Sequence, residues 1–372
     1  METAEPNSAV RAAPSALSKG ALAARFAALG AIVVGVAGAF AYAGGWLSPH
    51  ALTGARIIDT FEKANGPQSG FRRNHAKGVG FNGFFESNGQ GEALSKASVF
   101  KPGRVPVIGR FALAGGMPYA ADAAGAVRSL AVQFNLPGGE QWRMGVNDIP
   151  VFPVSSAQGF YELLSASLPD PATGKPNPGG MPAFLKRNPA SAKALGLIKS
   201  APKSAGFETD SYHSLNAFLF VNAAGKVTPV RWSMVSVQPF EPAKPAPPAG
   251  GAPPAKDYLF DALSAAVQRQ PLHWRLVVVV GEPGDPTADA TLPWPADRTS
   301  IDVGTLTVER LEGEETSPAR DTNFDPLVLP SGITGSDDPL LSVRSAAYSA
   351  SFTRREGEPK KPSAISTEKG AR

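Results

Sequence analysis

The stretch RRNHAKGVGFNGFFE (residues 72–86) opens the strand-rich part of this 372-residue chain. The segment 79–87, which begins inside this stretch, clusters Val and Phe between Gly and Asn, which is typical of a β-strand. Segments of the same kind recur at 105–113, 129–135, 141–147, 216–222, 227–237, 273–280 and 303–310. Eight such strands in one domain predict a closed antiparallel β-barrel, because closure removes exposed sheet edges.

Helical segments are expected at 50–65, 160–166, 182–194 and 257–268, so the fold class is α+β with helices around the barrel. A further helix should begin at Pro339, because Asp338 before a Pro is typical of an N-cap and first turn. The main domain should span 48–355. Within it, the Pro/Ala/Gly tract 237–256 predicts an extended surface loop. After it, the polar tail 356–372 predicts disorder.

Residues 26–47, FAALGAIVVGVAGAFAYAGGWL, carry no charge and are long enough to cross a bilayer as a helix. The basic residues Arg11, Lys19 and Arg25 precede this run, which predicts residues 1–25 in the cytoplasm and the main domain outside it. Ala41-Tyr42-Ala43 also resembles a signal-peptide cleavage site. A membrane anchor and a cleaved signal peptide therefore both stay open, and the main domain is expected to be periplasmic or anchored facing outward.

The composition excludes several classes of protein. The chain has no Cys, which rules out disulfides, thiolate metal sites and a Cys nucleophile. Its formal charge of +4 is not concentrated in a basic run, so a nucleic-acid partner is not expected.

Three segments carry residues whose chemistry suits catalysis or metal binding. His75 lies among basic and small residues just before a strand, where positive charge favours the neutral, proton-accepting imidazole; a structural His is the alternative. Asn147 ends a strand before a Pro turn, and it either points into the barrel mouth or bonds its own turn. Arg344 and Tyr348 share one helix face, so the guanidinium favours a phenolate, a strong ligand for ferric iron. A simple packing pair is the alternative there.

Together and in this order, these segments resemble the catalase superfamily, and specifically its short catalase-related peroxidases. RRNHAKGVGFNGFFE resembles the family's distal His segment. WRMGVNDIPVF (142–152) resembles the distal Asn segment. FDPLVLPSGI (324–333) followed by DDPLLSVRSAAYS (337–349) resembles the proximal segment.

The resemblance implies haem b as the cofactor and assigns each residue a role. His75 would be the catalytic acid/base, Asn147 would donate a hydrogen bond to bound peroxide, and Tyr348 would bind the iron. The residues implied in holding the cofactor are Arg344, which keeps the phenolate ionised, Phe152 and Phe160, which line the pocket, and Arg72, Arg110 and Arg355, which pair with the propionates.

Two departures from the family bear on activity. Ala112 stands where the family has a hydroxyl residue that bonds the distal His, and Asn74 replaces an aliphatic residue. The chain also ends shortly after Arg355, without the helical region of full catalases. We therefore expect a loosely held His75 and a peroxidase with weak catalase activity at most.

The expected partners are a peroxide, a small organic reductant and, through residues 26–47 if uncleaved, a membrane; a homodimer stays open. The alternative functions are rearrangement of fatty-acid hydroperoxides and haem binding without turnover.

Overall fold

A computed structural model describes residues 18–43, 47, 52–170, 173–243 and 254–367. The chain divides into two units, Met1–Ala51 and Leu52–Arg372. The first contains helix α1 (Lys19–Ala43), of which Lys19–Tyr42 is apolar and long enough to span a membrane. The helix begins seven residues before the predicted run of 26–47, and residues 44–46 of that run lie outside the described part.

The second unit is built on an antiparallel sheet that closes on itself. Strands β5 and β6 pair with the same edge of β7 in nearly the same register, so they form one interrupted strand. Pairing of β7 with β8 completes a barrel of eight strands, which confirms the predicted architecture. The strands are β1 (Gly78–Ser87), β2 (Gly103–Leu113), β3 (Arg128–Asn135), β4 (Gln141–Asn147), β5 (Tyr212–His213), β6 (Phe218–Val221), β7 (Val227–Ser236), β8 (Leu272–Val280) and β9 (Ser300–Glu312), with β10 (Ile333–Gly335) added beside β6.

Alternate residues of each strand fill the barrel interior. On β3 these are Leu130, Val132 and Phe134, all fully buried in an apolar core rich in aromatic rings. Their neighbours Ser129 and Ala131 must therefore point to the outer face, because successive side chains on a strand alternate. The cavity of the predicted site lies against this outer face.

Helices cover that face of the barrel. They are α2 (Gly54–Asn65), α3 (Ala157–Ala166), α4 (Gly180–Arg187), α5 (Pro189–Ser200), α6 (Tyr258–Arg269) and α7 (Pro339–Glu356). As predicted, Asp338 caps α7, since its Oδ1 accepts a hydrogen bond of 2.9 Å from the Leu340 amide. The predicted single helix at 182–194 is two helices, because Pro189 cannot continue the hydrogen-bond ladder of α4 and starts α5 instead.

The segment after α7 is ordered against the domain up to Thr367, contrary to the disordered tail that we predicted from residue 356. Glu358 accepts a hydrogen bond of 2.9 Å from Arg73, and Ile365 is buried in the main core. The polar composition of this segment predicted a disordered tail. The buried side chain of Ile365 and ion pairs such as that of Glu358 with Arg73 hold it against the domain instead. Residues 368–372, and residues 244–253 of the predicted Pro-rich loop 237–256, lie outside the described residues.

Candidate active site

A cavity lies between the outer face of β2–β4 and helices α2, α3 and α7. The structure brings every residue of the predicted site to its wall. These are His75, Asn147, Tyr348, Arg72, Arg110, Phe152, Phe160, Arg344 and Arg355. Residues up to 283 positions apart in the chain thus converge because the barrel carries one wall and α7 the other.

Three paired residues form a row across adjacent strands of the barrel wall, and two of them are polar. Ala112 pairs with Ser129 across β2 and β3, and Ser129 pairs with Asn147 across β3 and β4. Directly paired residues put their side chains on the same face. Asn147 therefore projects from the outer wall of the barrel and not into its mouth, which corrects the sequence-based expectation.

His75 lies in the loop before β1 with a left-handed backbone (φ 55°), an uncommon conformation for a residue other than Gly. Its carbonyl accepts a hydrogen bond of 2.7 Å from Arg110, and the next amide, that of Ala76, donates to Gly115. These backbone contacts aim the imidazole into the cavity. Burial, followed by the charges of Arg110, Arg344 and Arg72, lowers the pKa of His75 to about 3. The imidazole is therefore neutral at pH 7, as predicted, although burial contributes more than the neighbouring charge.

His75 has a hydroxyl partner, which overturns the prediction of a loosely held imidazole. Its Nδ1 lies 3.0 Å from Oγ of Ser129, and the same Oγ also contacts Oδ1 of Asn147. The hydroxyl absent at Ala112 is thus supplied from the opposite position on the neighbouring strand. Sequence reasoning missed Ser129 because the relevant signal was the pairing register of β2 and β3. Asn74, the other departure, accepts a hydrogen bond from the Gly115 amide and also lines the cavity.

The opposite wall is α7, which carries Arg344 and Tyr348 one turn apart. Arg344 bonds Oδ1 of Asn216 and donates to the Gly145 carbonyl at 3.2 Å. Asn216 in turn donates to Asp338 at 2.7 Å, so the N-cap residue of α7 also holds the Arg344 partner in place. Asn216 is a further site residue that the sequence did not reveal.

Two small residues on the barrel leave room for these side chains. Ala131 and Gly145 are cross-strand partners on the cavity face of β3 and β4. A Cβ atom at Gly145 would lie 2.9 Å from the Tyr348 hydroxyl, closer than real Cβ atoms approach other heavy atoms. Gly145 is therefore required for the observed position of the phenol.

Arg72, Arg110 and Arg355 form a buried cationic cluster at one end of the cavity. Arg110 Nε lies 2.5 Å from Glu314, and Arg72 Nη1 lies 3.7 Å from the same carboxylate. Arg355 Nε is buried without a hydrogen-bond partner among the described residues. Burial lowers the pKa of Arg72 well below its usual range and that of Arg355 to about 10. Among the described residues, Glu314 is the carboxylate at ion-pair distance from this cluster, so the three guanidinium groups leave an excess of positive charge that suits an anionic ligand.

The remaining wall is aromatic and apolar. Phe160 lies 5.7 Å from Phe152 and 5.9 Å from Phe61, measured between ring centroids. Ile57, Ile58 and Val343 continue this surface from α2 and α7. The cavity can therefore hold a large flat apolar group whose acidic end meets the arginine cluster.

Comparisons with known proteins agree with this geometry. The sequence profile of the family described as Catalase matches residues 43–361. The chain is 34% identical to the "Catalase-related peroxidase" of Synechococcus elongatus over 82% of its own length and 89% of that protein. It is 32% identical to the protein of the same name from Mycolicibacterium paratuberculosis, over 82% of this chain and 96% of the other.

Solved structures show the same fold at low sequence identity. A bacterial catalase superimposes with a TM-score of 0.68 at 22% identity, covering 82% of this chain and 62% of that one. Catalase A from Saccharomyces cerevisiae gives a TM-score of 0.69 at 20% identity, covering 81% and 63%. The family profile spans most of the chain, and this protein belongs to the catalase family.

Proposed function

We propose that this chain is a haem b peroxidase that reduces hydrogen peroxide or an organic peroxide with a small organic electron donor. Family membership supports the coarser statement, an oxidoreductase that acts on peroxide. The assignment as a haem b peroxidase rests on one observation, which is the convergence of His75, Asn147 and the Arg344–Tyr348 pair on one cavity.

The residues present fit a haem. The apolar wall at Phe152 and Phe160 suits the macrocycle, and the excess positive charge of the arginine cluster suits its propionates. Tyr348 would hold the iron through its phenolate, with the guanidinium of Arg344 beside it. Haem bound here would supply the two electrons that break the peroxide O–O bond.

The distal side chains would manage the protons of that step. His75, neutral at working pH, takes the proton from one peroxide oxygen and delivers it to the other, which leaves as water. Asn147 donates a hydrogen bond to the peroxide and holds it beside the imidazole. A haem carrier would need only the proximal residues, so the ordered distal pair supports catalysis.

The relatives support peroxidase activity over dismutation. The matched region covers 89% and 96% of the two proteins named catalase-related peroxidase, but 57% of the catalase of Pseudomonas syringae. The absence of a hydroxyl at Ala112 is no longer a reason to expect weak dismutation, because Ser129 supplies a hydroxyl to His75. We therefore attribute the expected weak dismutation to the access of reducing donors to the cavity.

We also propose that the catalytic unit lies outside the cytoplasm, anchored or released at the N-terminal segment. The apolar helix α1 and the basic residues that precede residue 26 support this orientation. The partner on that side would be a small organic reductant.

The test of function is to compare two activities of one purified sample of the full chain. Haem content is measured first, and then oxygen release and oxidation of a one-electron dye are followed after addition of hydrogen peroxide. We expect dye oxidation to dominate, and we expect His75→Ala to lose it while keeping the haem. A haem-loaded protein that catalyses neither reaction would indicate a carrier, and consumption of a fatty-acid hydroperoxide without any donor would indicate a rearranging enzyme.

A further inference from the structure

One hydroxyl group connects the two distal side chains. Ser129 Oγ lies 3.0 Å from Nδ1 of His75 and within hydrogen-bonding distance of Oδ1 of Asn147. Ser129 is 7% exposed, and the β-ladders to Ala112 on one side and Asn147 on the other fix its backbone. The hydroxyl is thus held in a defined position by two neighbouring strands.

The directions of these two hydrogen bonds follow from the available protons. The amide oxygen of Asn147 can only accept, so the single proton of the Ser129 hydroxyl points to it. Ser129 Oγ must then accept the other bond, which requires a proton on Nδ1 of His75. A neutral imidazole with Nδ1–H has its lone pair on Nε2. The Nδ2 amide of Asn147 is left to donate away from Ser129, toward the cavity that Asn147 lines.

We propose that Ser129 is a positioning residue that fixes His75 as the Nδ1–H tautomer and orients the Asn147 amide at the same time. The proposal rests on the proposed peroxidase function, since it makes Nε2 the base and Nδ2 the donor that this function needs. Relative to the resembling family, the orienting hydroxyl lies one strand over, on the residue that pairs with Ala112. A single side chain therefore controls both distal groups, and its removal should affect both together.

The hydroxyl of Ser129 can be moved by substitution to position 112, which lies opposite it on β2. Because Ala112 and Ser129 are direct cross-strand neighbours, their Cβ atoms lie about 5 Å apart on the same face. A Ser at position 112 can therefore reach the same imidazole from the opposite side. The matched set is S129A, A112S and the double variant S129A/A112S, in which the hydroxyl is removed, duplicated or moved.

The first readout is the tautomer of His75, measured by ¹⁵N NMR on the full chain loaded with zinc protoporphyrin. The chain has four histidines, so loss of one resonance in His75→Asn assigns the signal. We expect Nδ1–H in the native chain and in A112S. S129A should shift toward Nε2–H, and the double variant should return to Nδ1–H. A purely structural role for Ser129 would leave the tautomer unchanged in every variant.

The second readout is the rate at which cyanide binds to the ferric haem form. Hydrogen cyanide must give its proton to a base as the carbon binds iron, so the rate reports whether Nε2 is free. Misplacement of a reacting group can cost up to about 100-fold, and we expect S129A to slow binding about 10- to 100-fold. The double variant should recover most of this loss through His75. Its recovery should stay incomplete, because Asn147 remains unoriented.

The outcomes separate this inference from the proposed function. Failure of the native chain to bind any porphyrin would refute the haem assignment and this inference with it. Normal porphyrin binding with Nε2–H in the native chain, or S129A with an unchanged tautomer and cyanide rate, would refute the role of Ser129 alone. Porphyrin stoichiometry measured on each variant shows that the site is still folded.

Discussion

Replacing Gly145 by Ala should loosen the cofactor without replacing any polar side chain of the site. The added Cβ would lie 2.9 Å from the Tyr348 hydroxyl and 3.9 Å from a guanidinium nitrogen of Arg344. The β3–β4 ladder holds the backbone of Gly145, so the phenol must move instead. Overpacking of this kind costs about 1–3 kcal/mol. At about 1.4 kcal/mol for each factor of ten, haem should be held roughly 5- to 150-fold less tightly.

The assay is the rate of haem transfer from the purified protein to an excess of a haem-free acceptor protein, followed in the Soret band. The control is Gly125→Ala, because Gly125 is exposed and a Cβ there would meet nothing within 4 Å. The control should lose haem at the native rate. If Gly145→Ala also keeps haem at the native rate with an unchanged Soret band, then Tyr348 does not hold the iron from its observed position.

Three further outcomes are expected. Arg355→Met should raise the unfolding temperature of the haem-free chain, because it removes a buried guanidinium whose Nε has no hydrogen-bond partner within the described part of the chain, and it should speed haem loss at least about 10-fold. A lower unfolding temperature would contradict this. The rate constant for peroxide should stay constant from pH 8 to 5, since a His75 pKa lowered to about 3 keeps the imidazole neutral there; a midpoint near pH 6.5 in stopped-flow data would refute it. A reporter fused after Arg372 should be active only if it works outside the cytoplasm, and activity of a cytoplasm-dependent reporter instead would reverse the topology.

Local sequence patterns predicted the barrel and most of its helices. Strand alternation is a property of adjacent residues, and the core positions of β4 show it clearly. The start of α7 followed from two residues, Asp338 and Pro339, whose capping roles are local as well. The division between α4 and α5 was missed, although Pro189 is a local signal that disfavours a continuous helix through that point.

Long-range partners could not be predicted in the same way. Asn216 and Arg344 are 128 residues apart, and Arg110 and Glu314 are 204 apart, so no local pattern connects them. Ser129 was overlooked for a related reason. Its importance depends on the register between β2 and β3, and a shift of one residue in that register would have pointed it into the core. The tail was mispredicted because one buried side chain, Ile365, outweighs a polar composition.

The most direct test of the central claim is the absorption spectrum of the purified full chain beside that of Tyr348→Phe. The native protein should contain about one haem per chain, with the Soret band of five-coordinate, high-spin ferric iron bound by an anionic oxygen. Tyr348→Phe keeps the ring and removes only the ligand oxygen, so it should retain little or no haem. Full haem loading of that variant with the native spectrum would contradict the assignment of Tyr348 as the iron ligand.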